Sequence, residues 1–153
     1  MTIEARLAEL GISLPAAPNP VANYVPYIVS GNLLLISGQI AKAADGTIVT
    51  GALGRDVSLE DGQAAARLCA LNILAQASAA LGSLDRIGQV LRLTGFVNAA
   101  PEFTDHPKVV NGASDLMVDV LGDKGRHTRA AVGVSGLPMN SAVEVDAIIA
   151  IAG

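Results

Sequence analysis

Residues 24–39 read YVPYIVSGNLLLISGQ, and this stretch decides the kind of fold. Two runs rich in Val, Ile, Leu and Tyr, residues 24–29 and 33–37, flank Ser30-Gly31-Asn32, which is a typical turn sequence. The pattern predicts a β-hairpin that leads into Ser37-Gly38-Gln39. The core of the chain therefore begins with paired strands.

Two long helical patterns follow the hairpin. Ser58 and Asp61 resemble a capping box, and the apolar spacing behind them predicts a helix over about residues 59–81. Pro107 opens a second helical pattern, which Gly122 closes. Further strands are predicted over residues 47–50, 90–97, 128–134 and 142–151. Strands grouped around only two long helices indicate an α+β fold, a mixed β-sheet with both helices on one face.

The segment before the hairpin has a different character. Thr2 can cap a short helix that runs through Leu10. An irregular extended run then follows, imposed by Pro15, Pro18 and Pro20. We divide the chain into an N-terminal arm with a short helix, residues 1–22, and one domain, residues 23–153.

The chain is poor in charge for its size. Its 153 residues are 51% hydrophobic and 16% charged, whereas a typical soluble domain carries about 25% charged residues. The longest apolar stretches, such as residues 33–36 and 147–152, are far shorter than the roughly 20 residues of a membrane-spanning helix. We therefore expect no membrane association, and an oligomer in which a second subunit covers apolar surface.

Several function classes are disfavoured by composition. With one cysteine, Cys69, and two histidines, the chain offers no cluster of metal ligands. The net charge of -4 and the two Tyr and two Phe residues argue against nucleic acid as a main partner. No leader peptide opens the chain, which predicts a cytoplasmic protein.

Arg129 is the residue that most suggests a binding site. It begins an otherwise apolar strand pattern, RAAVGV, and a buried guanidinium needs an anionic partner. The spacing leaves two interpretations: the partner is a structural carboxylate, Glu144 or Asp146 on a neighbouring strand, or it is the carboxylate of a ligand. His106 and His127 have two possible placements: near the site, where either could act as a proton shuttle, or at the surface, which we favour for both.

A series of short motifs runs in a fixed order through nearly all of residues 24–151. The motifs are Tyr24, Gly31-Asn32, Ser37-Gly38-Gln39, Phe96-Val97, Arg129, Leu137-Pro138 and Val143-Glu144-Val145. Arg129 lies nine residues before Pro138 and fifteen before Glu144. In this order and spacing the chain resembles the reactive intermediate deaminase (RidA/YjgF) family, also called endoribonuclease L-PSP-like.

The resemblance implies a chorismate-mutase-like fold and a homotrimer, with the sheets around a central barrel and ligand clefts between subunits. Members with the matching arginine are similar to 2-iminobutanoate/2-iminopropanoate deaminases. These hydrolyse reactive 2-imino or enamino acids of the 2-aminoacrylate type to 2-keto acids and ammonia, without a cofactor or a metal. The alternative is a trimer that binds small carboxylates such as keto acids as a carrier or regulator. Ribonuclease action, attributed to some relatives, fits this acidic chain least.

The same resemblance assigns roles to six residues. Arg129 would bind the substrate carboxylate, and Glu144 would orient or activate the hydrolytic water; these two are the catalytic residues. Besides Arg129, the substrate-binding positions match Tyr24, Ser37, Gly38 and Asn111. The segment between Phe103 and Asn111 is longer than in typical relatives.

Overall fold

The computed structural model describes residues 1–19 and 22–153, in which one five-stranded sheet carries two long helices. In chain order the elements are α1 (Ile3–Glu9), β1 (Tyr27–Ser30), β2 (Leu33–Ile40), α2 (Leu59–Leu81), β3 (Ile87–Asn98), α3 (His106–Leu121), β4 (Thr128–Val134) and β5 (Val143–Ile151). Short 3-10 turns precede β3, follow α3 and precede β5. The predicted α+β class is confirmed.

The strand order is β1-β2-β5-β3-β4, with β1 and β4 at the two edges. β3 and β4 are parallel and all other neighbouring pairs are antiparallel, so the sheet is mixed, as predicted. A parallel pair needs a crossover connection, and α3 supplies it. The helix α3 therefore lies next to β4, the strand that carries Arg129.

The helix α2 has the bounds that its sequence indicated. The Ser58 hydroxyl caps its start by accepting a hydrogen bond from the Asp61 N–H, and Gly82 ends it with φ +80°. By length and composition alone α2 could also cross a membrane, although its sequence contains no continuous apolar run of that length. However, 61% of its most apolar window is buried within the domain, where α2 packs on the sheet and α3.

The strand predicted over residues 47–50 does not form. Gly46 and Gly51 adopt φ values of +90° and +113° and bend the chain on either side of it. The segment makes only isolated bridges, which join Lys42 to Ile48 and Thr50 to Ser141. Turn chemistry therefore outweighs the β-propensity of this short segment, and the region is a loop beside β2 and β5.

The N-terminal arm is fastened to the domain at two places. The predicted short helix forms as α1, with Thr2 as its cap, and the Arg6 guanidinium donates to the Asp119 carbonyl of α3. Farther along, the buried Gln76 amide of α2 donates to the Pro18 carbonyl at 2.6 Å. Pro20, part of the predicted irregular run, lies outside the described residues.

Over residues 1–19 and 22–153, no helix covers the sheet face opposite α2 and α3. The strand register places Ile28, Leu35 and Val132 on this face, with exposed fractions of 54%, 39% and 44%. Glu144 and Asp146 share the face because they alternate along β5 with helix-facing valines. Ile28 and Leu35, which pair across β1 and β2, form an exposed apolar patch of the kind found at subunit interfaces.

Gly112 marks the place where α2 and α3 come closest. A β-carbon at Gly112 would overlap the Gln63 carbonyl oxygen of α2. Alanine in place of glycine normally stabilises a helix by about 1 kcal/mol. Here we expect the opposite: Gly112→Ala lowers the free energy of unfolding by about 1–3 kcal/mol, because the two helices must move apart. Urea denaturation measures the change.

The control for this prediction is Gly136→Ala, since an added β-carbon there meets nothing within 4 Å. We expect that variant to unfold close to the wild-type midpoint. A Gly112→Ala variant as stable as the wild type would contradict the close helix crossing.

Candidate functional site

A cavity of about 100 Å³ opens between the β1–β2 hairpin, β5 and the N-terminal arm. Four of the six predicted site residues line it: Tyr24, Ser37, Gly38 and Glu144. We call this group the pocket half-site. The arm contributes Pro18 and Asn19 to the cavity wall.

Gly38 of β2 and Glu144 of β5 lie against each other on neighbouring strands. The pairing of β2 with β5 shifts register between Ile36 and Gln39, which places the Ser37-Gly38 dipeptide in a bulge. A β-carbon on Gly38 would overlap the Glu144 carboxylate. The glycine therefore makes room for this carboxylate, and its role in substrate binding stays a prediction.

The Glu144 carboxyl group lies half-buried in the cavity wall. Burial raises its pKa above the usual value of 4.5, and the nearby negative charge of Asp146 raises the pKa further. Among the residues that the structure describes, no hydrogen bond or cation offsets this rise in pKa. A carboxylate with these properties is suited to accept a proton from water.

The hydroxyl groups of Ser37 and Tyr24 differ in their surroundings: the first is hydrogen-bonded within the chain, and the second lies at the exposed rim of the cavity. The Ser37 hydroxyl donates to the Val25 carbonyl at 2.7 Å, so its oxygen remains available only as an acceptor. The Tyr24 side chain is 46% exposed at the rim, which does not support core packing as its role.

Arg129 and Asn111 meet elsewhere, between β4 and α3. Arg129 is in register with the buried Leu93 of β3, so its side chain lies on the helix side of the sheet. Its Nη1 donates to the Asn111 Oδ1 at 2.8 Å and to the Ser114 Oγ at 3.1 Å. We call Arg129, Asn111 and Ser114 the anchor half-site. Asn111 therefore lies beside the arginine, and its role in substrate binding stays a prediction.

A structural ion pair for Arg129 was one of the two interpretations of its sequence, and it is wrong. β3 separates β4 from β5, and Glu144 and Asp146 lie on the opposite face of the sheet. Within residues 1–19 and 22–153, the four ion pairs all involve other cations. The half-buried guanidinium thus has polar neighbours but no carboxylate in its own chain.

His127 is half-buried near Arg129, so of its two expected placements the one near the site is closer to the structure than the one at the surface. Its Nε2 lies 2.8 Å from the Ser114 Oγ and its Nδ1 2.6 Å from the Gly125 carbonyl. Sequence reasoning missed Ser114. The available signal was helical spacing, because Ser114 lies three residues after Asn111 and must share its face of α3.

The two half-sites do not meet in one chain. Arg129 lies two strands from Glu144 and three residues along the strand direction, a separation of roughly 14 Å between backbones. Their side chains also point to opposite faces of the sheet. In the part of the chain that the structure describes, no group of three or more His, Cys, Asp or Glu side chains gathers into a metal site.

Comparison with known proteins places these features in a family. Residues 4–150 match the family model described as "YjgF/chorismate mutase-like, putative endoribonuclease". Protein TCP17 of Trypanosoma cruzi is 51% identical over 96% of this chain and 92% of its own length. The crystal structure of Atu1372, a protein of unknown function from Agrobacterium tumefaciens, is 54% identical, with a TM-score of 0.91 over 97% of this chain and 92% of that one.

A more distant relative carries an activity in its name. The 2-iminobutanoate/2-iminopropanoate deaminase of Dermatophagoides farinae is 28% identical over 92% of this chain and 94% of its own length. The relatives that share about half of their residues with this chain have no activity in their names. Similarity to known proteins therefore supports the fold strongly. Support for an imine deaminase reaction comes only from a relative of 28% identity.

Proposed function

This chain belongs to the YjgF/chorismate mutase-like family, and from that premise we propose that it hydrolyses small 2-imino acids to 2-keto acids and ammonia. The observation that carries the proposal is the Arg129 guanidinium, half-buried and fixed by Asn111 and Ser114, with no carboxylate in its own chain. A guanidinium in this state is suited to bind the carboxylate of a ligand. The distant deaminase relative supports the choice of an imino acid.

A complete site requires a second copy of the chain. The pocket half-site and the anchor half-site lie on different parts of the surface, and a head-to-tail contact between copies joins two different surfaces. A closed ring of three such contacts would unite the half-sites three times and cover the exposed Ile28, Leu35 and Val132. The charge-poor composition supports the same homotrimer.

The reaction follows from the two half-sites once they face each other. Arg129 holds the substrate carboxylate, which brings the adjacent imine carbon toward Glu144. The step starts from the protonated imine, C=NH2+: as water adds to its carbon, the Glu144 carboxylate takes one proton from the water, which leaves a neutral carbinolamine, C(OH)NH2. The same carboxyl group then returns that proton to the nitrogen, and the C–N bond breaks as the C=O bond of the keto acid forms. The hydroxyl proton passes to the released ammonia, which leaves as ammonium.

The decisive experiment is a turnover assay. An amino-acid oxidase generates 2-iminobutanoate in solution, and formation of 2-oxobutanoate is followed with and without the purified protein. We expect the protein to accelerate hydrolysis in proportion to its concentration. Binding of 2-oxobutanoate without any acceleration would reject the enzyme and leave a carboxylate-binding protein, because equal binding of ground state and transition state gives no rate advantage.

A further inference from the structure

The hydrogen bonds around Arg129 extend beyond the residues that the proposed reaction needs. We propose that Ser114 and His127 are positioning residues, which fix the rotation of the Arg129 guanidinium so that only its Nε–Nη2 edge meets the substrate carboxylate. This inference rests on the proposed function, because it assigns the geometry of the same anchor half-site.

The direction of each hydrogen bond follows from donor and acceptor chemistry. The Gly125 carbonyl can only accept, so the His127 Nδ1 at 2.6 Å carries a proton. In a neutral imidazole the other nitrogen is then an acceptor, and the Ser114 hydroxyl at 2.8 Å donates to the His127 Nε2. The Ser114 oxygen is left to accept from the Arg129 Nη1 at 3.1 Å.

The chain of hydrogen bonds begins at a rigid point of the backbone. Gly125 is buried, and a β-carbon there would overlap the Met117 carbonyl of α3. The short 3-10 turn over Gly122–Gly125 is therefore packed tightly against the helix that carries Asn111 and Ser114. The Gly125 carbonyl orients His127, which in turn orients the Ser114 hydroxyl.

Both N–H groups of the Arg129 Nη1 are used within the chain. One points to the Asn111 Oδ1 at 2.8 Å and the other to the Ser114 Oγ. The Nε–H and the Nη2 group remain, and along that edge the guanidinium offers two parallel N–H groups, which match a carboxylate. Fixing this edge before binding removes part of the ordering cost that a free arginine side chain would bring.

A double-mutant cycle tests the inference. The variants are Ser114→Ala, His127→Leu and the double variant, and the readouts are the dissociation constant of 2-oxobutanoate by calorimetry and KM and kcat in the turnover assay. We expect each single variant to weaken binding and raise KM about three- to tenfold, with kcat nearly unchanged. Because His127 acts through Ser114, the double variant should bind 2-oxobutanoate as tightly as Ser114→Ala does, and its KM should be no higher.

Two further variants separate positioning from simple structural support. His127→Gln provides a side-chain oxygen that can accept from Ser114, and we expect it to restore most of the binding lost in His127→Leu. Ser78→Ala, a half-buried serine on α2, should bind 2-oxobutanoate as the wild type does. Melting temperatures show whether any variant is merely less stable.

Specific outcomes overturn the inference. Additive losses in the double variant, wild-type binding by His127→Leu, or no restoration by His127→Gln would each remove the proposed chain of hydrogen bonds. If turnover is absent but the binding cycle behaves as expected, the reaction fails and the positioning role stands. If the wild type neither binds 2-oxobutanoate nor accelerates hydrolysis, both are rejected; if it turns over without measurable binding, the reaction stands and the cycle in KM alone decides the positioning role.

Discussion

Arg129→Ala is expected to lower kcat/KM for 2-iminobutanoate by about 30-fold to several thousandfold. Removing one member of a desolvated, hydrogen-bonded charge pair costs about 2–5 kcal/mol, and each 1.4 kcal/mol is a factor of ten. The loss should appear in the turnover assay and as weaker binding of 2-oxobutanoate. Arg129→Lys should be intermediate, because an ammonium keeps the charge but not the two parallel N–H groups.

The matched control for this variant is Arg126→Ala. Arg126 lies three residues earlier and is an exposed cation, paired with Asp123 at 3.3 Å. Such surface pairs contribute little, so turnover should stay at the wild-type level. Near wild-type turnover by Arg129→Ala, in a variant with the wild-type oligomeric mass, would exclude carboxylate capture by this residue.

Glu144→Gln is expected to lower kcat by about 100- to 10,000-fold, the usual range for loss of a general acid–base group. Binding of 2-oxobutanoate should change much less, because Arg129 and not Glu144 holds the carboxylate. The wild-type rate should also fall as the pH drops, since only the ionised carboxyl group can take a proton from water. Burial raises the pKa of Glu144, so this fall begins at a higher pH than for an ordinary glutamate.

Asp146→Asn is the control for the assignment of the base. Asp146 contributes to the raised pKa of Glu144 through its charge. Its removal should lower that pKa and move the acid side of the pH–rate profile to lower pH, with the neutral plateau preserved. If Asp146→Asn abolished turnover and Glu144→Gln did not, the roles of the two carboxylates would have to be exchanged.

The fold was predictable where local signals agreed with one another. Ser58 and Gly82 mark the ends of α2, and the Gly31 turn separates β1 from β2, as their sequences indicate. The segment 47–50 was wrongly assigned because a short apolar run does not reveal the backbone bends at Gly46 and Gly51. Local patterns therefore predicted the types of the helices and strands. The exception is segment 47–50, where Gly46 and Gly51 bend the backbone into a loop.

The sequence named candidate site residues, but it could not show which of them lie together. The surroundings of Arg129 depend on the strand order and on which face it occupies, and both are set by pairing between distant parts of the chain. For the same reason the sequence could not show that β3 separates β4 from β5. The contact of His127 with Ser114 was not foreseen, because Ser114 comes from another element.

All the side chains that hold the Arg129 guanidinium come from α3 and from the chain just before β4, within a single strand–helix–strand segment. The cavity beside Glu144 is built from the hairpin, the arm and β5. The two halves can therefore diverge separately over evolutionary time. Substitutions in the cavity wall could thus admit a longer or bulkier substrate side chain, while the residues around Arg129 stay unchanged and keep the proposed binding of the substrate carboxylate.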